Sequence, residues 1–282
     1  MFIYIIILII VMFLLVGFIA IPYLQNKITF APTKLDSNYD YDLAAHENIM
    51  KTTINENITL KEHTTKSINL IHLHNPESTS YIIYFHGNAG NIQTNINVLY
   101  DLGHKSSVIL FDYSGYGKST GNPTITRVCE NAYDIWLFTT QKLKINPNNI
   151  ILYGVSLGGA IASYLAHMLY KKNKKLCKAI ILQSSFTSSL DLAKDILPEL
   201  IYLFAKFFIN DTFNSIKYLQ KLNNHIKIMI AHSKKDEIVN FKHSKLFNKK
   251  LSCSNVINII IGGTHNKPEY TPEFWKIFNS YL

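Results

Sequence analysis

The feature that most constrains the fold of this 282-residue chain is an alternation of short apolar runs with longer helical stretches. The runs are rich in Ile, Val and Tyr, and Gly, Asn, Ser or Pro residues bound them, as is typical of buried strands. They lie at residues 68–73, 81–85, 108–111, 150–153, 179–182, 226–231 and 256–261. Strands that alternate with helices predict an α/β fold with a mostly parallel sheet covered on both faces.

The N-terminal segment is unlike the rest of the chain, because its first 26 residues carry no charge and residues 2–24 are almost wholly apolar. About 20 such residues span a bilayer as a helix, so we expect an uncleaved single-pass anchor at 1–26. A cleaved signal peptide is the alternative, but no basic residue precedes the apolar run and no small-residue cleavage site follows it. Lys27 and Lys34 follow the anchor and favour a cytosolic domain, although the short N-terminal tail leaves the side of the membrane open.

The predicted organisation is an anchor at 1–26, a polar linker at 27–54 and one α/β domain at 55–282. The net charge is +9, but Arg127 is the only arginine and the lysines are scattered. Without a basic stripe or an aromatic stacking platform, nucleic acid is not an expected partner, whereas the membrane bilayer is.

Cysteine and histidine spacing indicates neither a disulfide framework nor a metal site. The three cysteines, Cys129, Cys177 and Cys253, are odd in number and far apart, so we expect free thiols. His72 and His74 are two positions apart, but no third ligand lies at a useful spacing. We therefore expect no metal and no cofactor.

A nucleophile is indicated by the sequence Gly-Val-Ser-Leu-Gly-Gly at 154–159, which follows one predicted strand and opens a helical stretch at 157–171. This G-x-S-x-G pattern lies in its proper context, a tight strand-to-helix turn that exposes the serine. Small residues are needed at both glycine positions because Cβ atoms there would collide. Ser156 is the candidate nucleophile.

A second turn, His-Gly-Asn-Ala-Gly-Asn at 86–91, directly follows the strand predicted at 81–85. Such a turn delivers a backbone N–H towards the serine, so the N–H groups of Asn88 and Leu157 are candidates for an oxyanion hole. We expect His86 to brace the turn and to take no part in the chemistry.

An acid and a base follow two later strands, Asp236 after the run at 226–231 and His265 after the run at 256–261. Carboxyl ends of parallel strands meet at one edge of a sheet, so the order Ser, Asp, His predicts a triad with Ser156. His265 would accept the serine proton, and Asp236 would orient the imidazole. Glu237 is the alternative acid.

Two further segments have competing interpretations. Residues 112–120 end in Gly-Lys-Ser like a phosphate-binding loop, but Asp112 stands where the first glycine of that motif belongs, so no nucleotide site is predicted. The apolar stretch at 197–208 is either part of the core or a lid or acyl groove near the membrane.

Together these motifs resemble those of α/β-hydrolase-domain-containing proteins, membrane-tethered serine hydrolases related to protein depalmitoylases. The likeness covers about residues 55–280 and includes Asp-Tyr-Ser-Gly-Tyr-Gly-Lys-Ser at 112–119. It implies an α/β-hydrolase fold with an eight-stranded sheet, a small helical cap and the same triad. Some members remove palmitate from cysteine thioesters and attach through a cysteine-rich N-terminus. This chain has no cysteine before Cys129 and instead resembles the branch with an N-terminal transmembrane helix, whose substrates are poorly defined.

The sequence thus favours a membrane-anchored serine hydrolase that cleaves carboxylic ester or thioester bonds. Its expected substrate is a lipid or an acylated protein at the membrane, such as a palmitoyl protein. An α/β-hydrolase peptidase is a variant of this hypothesis. The alternative from another class is a non-catalytic, membrane-tethered binding or scaffold protein that keeps the fold.

Overall fold

The computed structural model describes residues 2–251 and 254–282, and its strands form one nine-stranded sheet and one two-stranded sheet within these residues. The strands are β1 (Ala31–Pro32), β2 (Thr59–Thr65), β3 (Ile68–His74), β4 (Tyr81–Phe85), β5 (Ala89–Gly90), β6 (Ser107–Phe111), β7 (Ile150–Val155), β8 (Ala179–Gln183), β9 (Lys227–Ser233), β10 (Val256–Gly263) and β11 (Pro268–Glu269). The large sheet has the order β11-β10-β9-β8-β7-β4-β6-β3-β2, and β1 pairs with β5.

Eleven α-helices lie among the described residues, and several of them cover the two faces of the large sheet. They are α1 (Phe2–Thr29), α2 (Leu43–Thr53), α3 (Ile92–Asn95), α4 (Val98–Gly103), α5 (Ile125–Leu137), α6 (Leu157–Lys171), α7 (Ser189–Ile196), α8 (Glu199–Ala205), α9 (Ser215–Leu222), α10 (Lys242–Lys250) and α11 (Pro272–Asn279). A π-helical turn at Phe138–Lys142 extends α5, and a 3-10 turn at Pro147–Asn149 precedes β7.

The predicted mostly parallel sheet is confirmed. The strands from β10 to β6 in the sheet order run parallel, and β2, β3 and the two-residue β11 add antiparallel pairs at the edges. Without β11 the sheet has the eight strands that the family resemblance implied. All the parallel connections lead the chain back to the same edge, so the carboxyl ends of β4, β7, β8, β9 and β10 meet there.

The core consists of two layers, one on each face of the sheet, because side chains alternate along a strand. In β4, Ile83 and Phe85 pack into the layer beneath α5, α6 and α9, whereas Ile82 and Tyr84 pack into the layer beneath α2, α4 and α11. Every residue of β4 is buried, which explains why its sequence is a continuous apolar run rather than an alternating one.

The segment at 27–54 differs from the polar linker that we predicted, because it packs onto the domain. Tyr41 and Met50 are buried in the core, and β1 pairs in parallel with β5. Phe30 is buried as well. Most of the remaining residues are exposed and gave the segment its polar composition, which concealed the few apolar side chains that dock it.

The helix α1 is long and apolar enough to cross a membrane. Its candidate span, Tyr4–Thr29, has a mean hydropathy of 3.3, and only 7% of its most apolar window is buried in the protein. These properties fit a membrane anchor, and a signal sequence has them too.

The cap consists of α7 and α8, which follow the carboxyl end of β8, and of the residues after them up to 209. The stretch at 197–208 is not core, because Leu200 is 83% exposed and Phe207 is 74% exposed. Within α8 only Ala205 is buried. The interpretation of this stretch as core packing is therefore wrong.

Two of the three cysteines lie within the described residues. Cys129 and Cys177 are buried free thiols, and burial raises the pKa of each to about 12. Both are therefore protonated and unreactive at neutral pH. Cys253 lies outside the described residues.

Candidate active site

The backbone at Ser156 has the strained geometry of a nucleophile on a sharp turn. Its φ of 53° and ψ of −119° lie outside the usual regions for a residue with a side chain. The turn joins the end of β7 to the start of α6 and requires two glycines. A Cβ at Gly154 would overlap the carbonyl oxygen of Gly158, and one at Gly158 would overlap that of Phe85. The sequence Gly-x-Ser-x-Gly is therefore dictated by close packing of backbone.

The predicted acid and base meet in a bidentate hydrogen bond. The Nδ1 atom of His265 lies 2.8 Å from Oδ2 and 2.9 Å from Oδ1 of Asp236. Asp236 follows β9 and His265 follows β10, and these two strands are neighbours in the sheet. Because Nδ1 faces the carboxylate, the ring presents Nε2 on its other side, as a general base for a serine requires.

Three groups besides His265 hold Asp236 in place. The backbone N–H groups of Ile238 and Val239 donate to its Oδ1 at 3.0 and 2.8 Å, and His232 Nε2 lies 3.3 Å from its Oδ2. Burial by itself would raise the pKa of Asp236, but the hydrogen bonds from His232, His265 and Val239 outweigh it. The net pKa lies well below the usual range, so Asp236 is a carboxylate at neutral pH.

The alternative acid, Glu237, contacts the same histidine but not its ring. Its Oε2 accepts a hydrogen bond from the backbone N–H of His265 at 3.1 Å. A carboxylate in that position holds the backbone of the loop. Asp236 contacts the ring and therefore sets the tautomer of the imidazole.

The turn at 86–91 passes close to the serine. A Cβ added at Gly87 would lie 3.8 Å from the Cβ of Ser156. Within the described residues, neither the N–H of Asn88 nor that of Leu157 donates to a protein acceptor. Leu157 is the first residue of α6, where backbone N–H groups have no partner inside the helix and carry partial positive charge.

Three consecutive carbonyl groups of this turn are held by hydrogen bonds. Tyr113 Oη donates to the oxygen of His86 at 2.9 Å, and His86 Nδ1 donates to that of Gly87 at 2.8 Å. The carbonyl of Asn88 accepts from Tyr116 Oη at 2.7 Å and from the N–H of Ala31 at 3.0 Å. His86 thus braces the turn as its position predicted.

A buried acid lies behind the turn. Asp112 accepts from the N–H of Ile92 at 2.7 Å, and burial raises its pKa to about 7. His86 Nε2 lies 4.0 Å from Asp112, and burial lowers the pKa of His86 to about 4. The histidine is therefore neutral at physiological pH, which is consistent with a structural role.

Among the three predicted triad residues, Ser156 is the one whose side chain makes no hydrogen bond to the other two. In the described part of the chain, no hydrogen bond joins its hydroxyl to His265. Both residues follow carboxyl ends of parallel strands at the same edge, and such catalytic contacts often tighten only when substrate binds.

Sequence reasoning missed several residues of this edge. His232 lies four positions before Asp236, and this short spacing could have indicated that the two side chains are in contact. Tyr113 and Tyr116 lie in the loop at 112–120, which was compared with a phosphate-binding loop and with the family motif, but neither comparison gave these two side chains a role. Ala31 carries no recognisable signal, because its contact with Asn88 spans 57 positions of sequence.

No cation site is apparent in the part of the chain that the structure describes. There, no group of three or more His, Cys, Asp or Glu side chains is arranged to hold a metal ion. The chemistry available at this edge is that of the serine, the imidazole, the carboxylate and the backbone N–H groups.

Comparison with known proteins agrees with this geometry. A family model described as alpha/beta hydrolase fold matches residues 81–217. Uncharacterized protein R595 of Acanthamoeba polyphaga mimivirus is 36% identical over 276 residues, which are 92% of this chain and 93% of that protein. The chain belongs to the α/β-hydrolase family.

Other members are more distant from this α/β hydrolase. Human alpha/beta hydrolase domain-containing protein 17C is 26% identical over 211 residues, 73% of this chain but 59% of that protein, which is less than two thirds of its length. Among solved structures, an alpha-beta hydrolase from Vibrio vulnificus superposes with a TM-score of 0.67 at 16% identity. The match covers 89% of this chain and 97% of that one, and it confirms the predicted fold.

Proposed function

We propose that this α/β hydrolase is a membrane-anchored serine hydrolase that cleaves carboxylic ester or thioester bonds through an acyl-enzyme on Ser156. The single observation that carries the proposal is the bidentate contact of His265 Nδ1 with Asp236, at 2.8 and 2.9 Å, at the sheet edge that bears the strained serine. A histidine oriented in this way is a general base, and the neighbouring serine is the group that it can activate.

In the first half of the reaction, His265 Nε2 accepts the proton of the Ser156 hydroxyl while the serine oxygen attacks the acyl carbon. The carbonyl oxygen becomes an oxyanion, which the N–H groups of Asn88 and Leu157 stabilise. The bond to the leaving oxygen or sulfur then breaks, and the leaving group takes the proton from His265. The acyl group remains on Ser156 as an ester.

In the second half, water gives a proton to His265 and attacks the acyl-enzyme through a second oxyanion. Collapse releases the carboxylic acid, and the proton returns from His265 to the Ser156 oxygen. The low pKa of Asp236 keeps this residue ionised throughout, so that its charge stabilises the imidazolium in both halves.

The anchor supports the choice of substrate. We propose that α1 is retained in the mature protein and spans the bilayer, with the domain on the cytosolic side. Lys27, at the end of the apolar span, is consistent with that orientation. An enzyme held at the membrane meets lipids and acylated proteins at a high local concentration. Acyl chains on such molecules, including palmitate on protein thiols, are the substrate class that we propose.

A fluorophosphonate probe tests the proposal, because it reacts only with a serine that a neighbouring base activates. We expect the full-length protein to be labelled and Ser156→Ala to remain unlabelled. Ser163→Ala is the matched control, since Ser163 lies on α6, the helix that starts directly after Ser156, and its hydroxyl donates to the carbonyl of Gly159. Equal labelling of wild type and Ser156→Ala would refute the nucleophile, and no labelling of either would favour the binding or scaffold alternative.

A further inference from the structure

The cap presents apolar side chains to the outside of the protein. Five residues of α7, α8 and the following turn are between 46% and 83% exposed, and we call them the cap apolar face: Ile196, Leu200, Ile201, Leu203 and Phe207. Soluble proteins rarely leave a contiguous apolar patch uncovered, so such a patch marks a contact with a membrane or another protein.

Two half-buried aromatic side chains of the cap pack against the apolar helix α1. The ring of Phe204 lies 4.4 Å from that of Phe13, measured between centroids, and the ring of Phe208 lies 5.1 Å from that of Phe18. Gly17 makes the second contact possible, because a Cβ at that position would overlap the ring of Phe208.

Hydrogen bonds also join the cap to α1, near the C-terminal end of this helix. Gln25 Nε2 donates to the carbonyl of Asn210, and the N–H of Asn210 donates to Gln25 Oε1, both at 2.8 Å. The cap and α1 are thus joined at Asn210 by a reciprocal pair of hydrogen bonds. Closer to the N-terminus of α1 they are joined by aromatic packing.

The position of these contacts along α1 indicates what covers the cap apolar face. Gly17 lies seven positions before Leu24, the last residue of the apolar stretch, which is about 10 Å along the helix axis. If α1 spans the bilayer, the cap lies beside a part of α1 that is in contact with lipid. The outward side of the cap then faces the same lipid.

The charges near the face are compatible with this position. The Lys206 ammonium lies over the ring of Phe207, 5.1 Å from its centroid. A lysine stem is long and flexible enough to carry such a charge from an apolar surface to lipid headgroups. Glu199, in the first turn of α8, and Lys194, in the last turn of α7, lie at the margins of the face.

We infer that the cap apolar face is inserted into the membrane leaflet next to α1 and is a second membrane contact of this protein. The cap starts a few residues after β8, and the hydroxyl of Ser185 in that connection donates to the carbonyl of Ser156 at 2.9 Å. The cap is thus connected directly to the backbone of the serine, and the second step of this inference is that a lipid acyl chain enters under the cap from the bilayer. This second step rests on the catalytic part of the proposed function, whereas the membrane contact rests only on the proposed anchor α1.

Site-directed fluorescence on the full-length protein in phosphatidylcholine vesicles tests the contact. In a Cys253→Ser background, Leu200→Cys is labelled with bimane and compared with Ile260→Cys, a β10 position that is 50% exposed. The native thiols Cys129 and Cys177 are buried. We expect nitroxide lipids, but not aqueous iodide, to quench the label at position 200. At position 260 we expect iodide, but not nitroxide lipids, to quench it.

Two outcomes would overturn the inference. Iodide quenching at 200 equal to that at 260 would mean that the face is in water. Protection at 200 from both quenchers would mean that protein, such as a second copy of the chain, covers it.

An activity measurement tests the acyl-chain route separately. Leu200→Asp should lower kcat/KM for a long-chain ester embedded in vesicles by roughly tenfold or more, because an aspartate is strongly disfavoured in lipid. It should leave hydrolysis of a short, water-soluble ester unchanged, which also shows that the variant folds. Ile260→Asp is the control. Equal effects on both esters would contradict the route, while a lack of hydrolysis by wild type would refute the proposed function and leave the quenching result intact.

Discussion

The turn at 86–91 and the cap both lie at the active edge of the sheet, but they are held in opposite ways. In the turn, three consecutive carbonyls are fixed by hydrogen bonds from Tyr113, His86, Tyr116 and Ala31. The tip of the cap is held by aromatic contacts with α1 and leaves large apolar side chains exposed. In the proposed function, this difference fits a turn that serves the chemistry, which needs fixed geometry, and a cap that serves the choice of substrate.

The largest expected effect comes from changing Asp236, the acid that lies at the same edge of the sheet as the turn. Asp236→Asn should lower kcat on the order of 10⁴-fold, because the amide favours the wrong tautomer of His265 while preserving its position. Glu237→Gln should have a small effect, since Glu237 contacts only the backbone of the histidine. Steady-state kinetics with a soluble ester checks both variants. A silent Asp236→Asn with a severe Glu237→Gln would reassign the acid to Glu237.

A smaller effect is expected from loosening the turn. Ala31→Pro removes the N–H that holds the Asn88 carbonyl, and Tyr116→Phe removes its other donor. We expect a fall in kcat of roughly tenfold for each, less than the loss of an oxyanion donor itself. Ala31→Val keeps the N–H and is the matched control. Unchanged kcat with both substitutions combined would mean that the turn does not depend on these bonds.

The next prediction concerns the proposed anchor α1, which packs against the cap. Deleting residues 2–24 should release the protein from membranes and leave hydrolysis of a soluble ester intact, because Ala31 and the turn are retained. Hydrolysis of a membrane-embedded ester should fall by roughly tenfold as the local concentration is lost. Fractionation with assays of both esters checks this. Extraction of the full-length protein by alkaline carbonate, or a mature N-terminus near residue 25, would contradict the anchor.

The smallest expected effect is on the free energy of unfolding, and it concerns Asp112, which is buried behind the turn. Burial raises the pKa of Asp112 to about 7, so the folded protein retains a proton that the unfolded chain releases from about pH 4 upward. The stability contributed by this group is complete below pH 4 and is lost as the pH rises through 7. Asp112→Asn should therefore flatten the decline in unfolding free energy by on the order of 1 kcal/mol per pH unit between pH 4 and 7.

Denaturant unfolding in detergent between pH 4 and 7 measures this slope. The exposed Asp36→Asn is the matched control. Identical pH dependence in wild type and Asp112→Asn would show that burial of Asp112 does not affect stability in this range.

The parts of the fold that sequence predicted are those set by local pattern. The strand before Gly154 and the helix after Ser156 were predictable because the turn between them needs glycine at fixed spacing. The contact of Asp236 with His265 also followed from topology, since strand ends meet at one edge. The docking of Ala31 on Asn88 and the exposure of Leu200 could not be predicted, because both depend on which distant segments pack together.

The most direct test of the central claim is to trap the acyl-enzyme. Full-length protein in vesicles is mixed with a long-chain acyl thioester, quenched in acid within milliseconds to seconds, digested and analysed by mass spectrometry. We expect an acyl adduct on the peptide that contains Ser156, with none in Ser156→Ala. An adduct on Ser185 instead, or turnover of the thioester that persists in Ser156→Ala, would contradict this expectation.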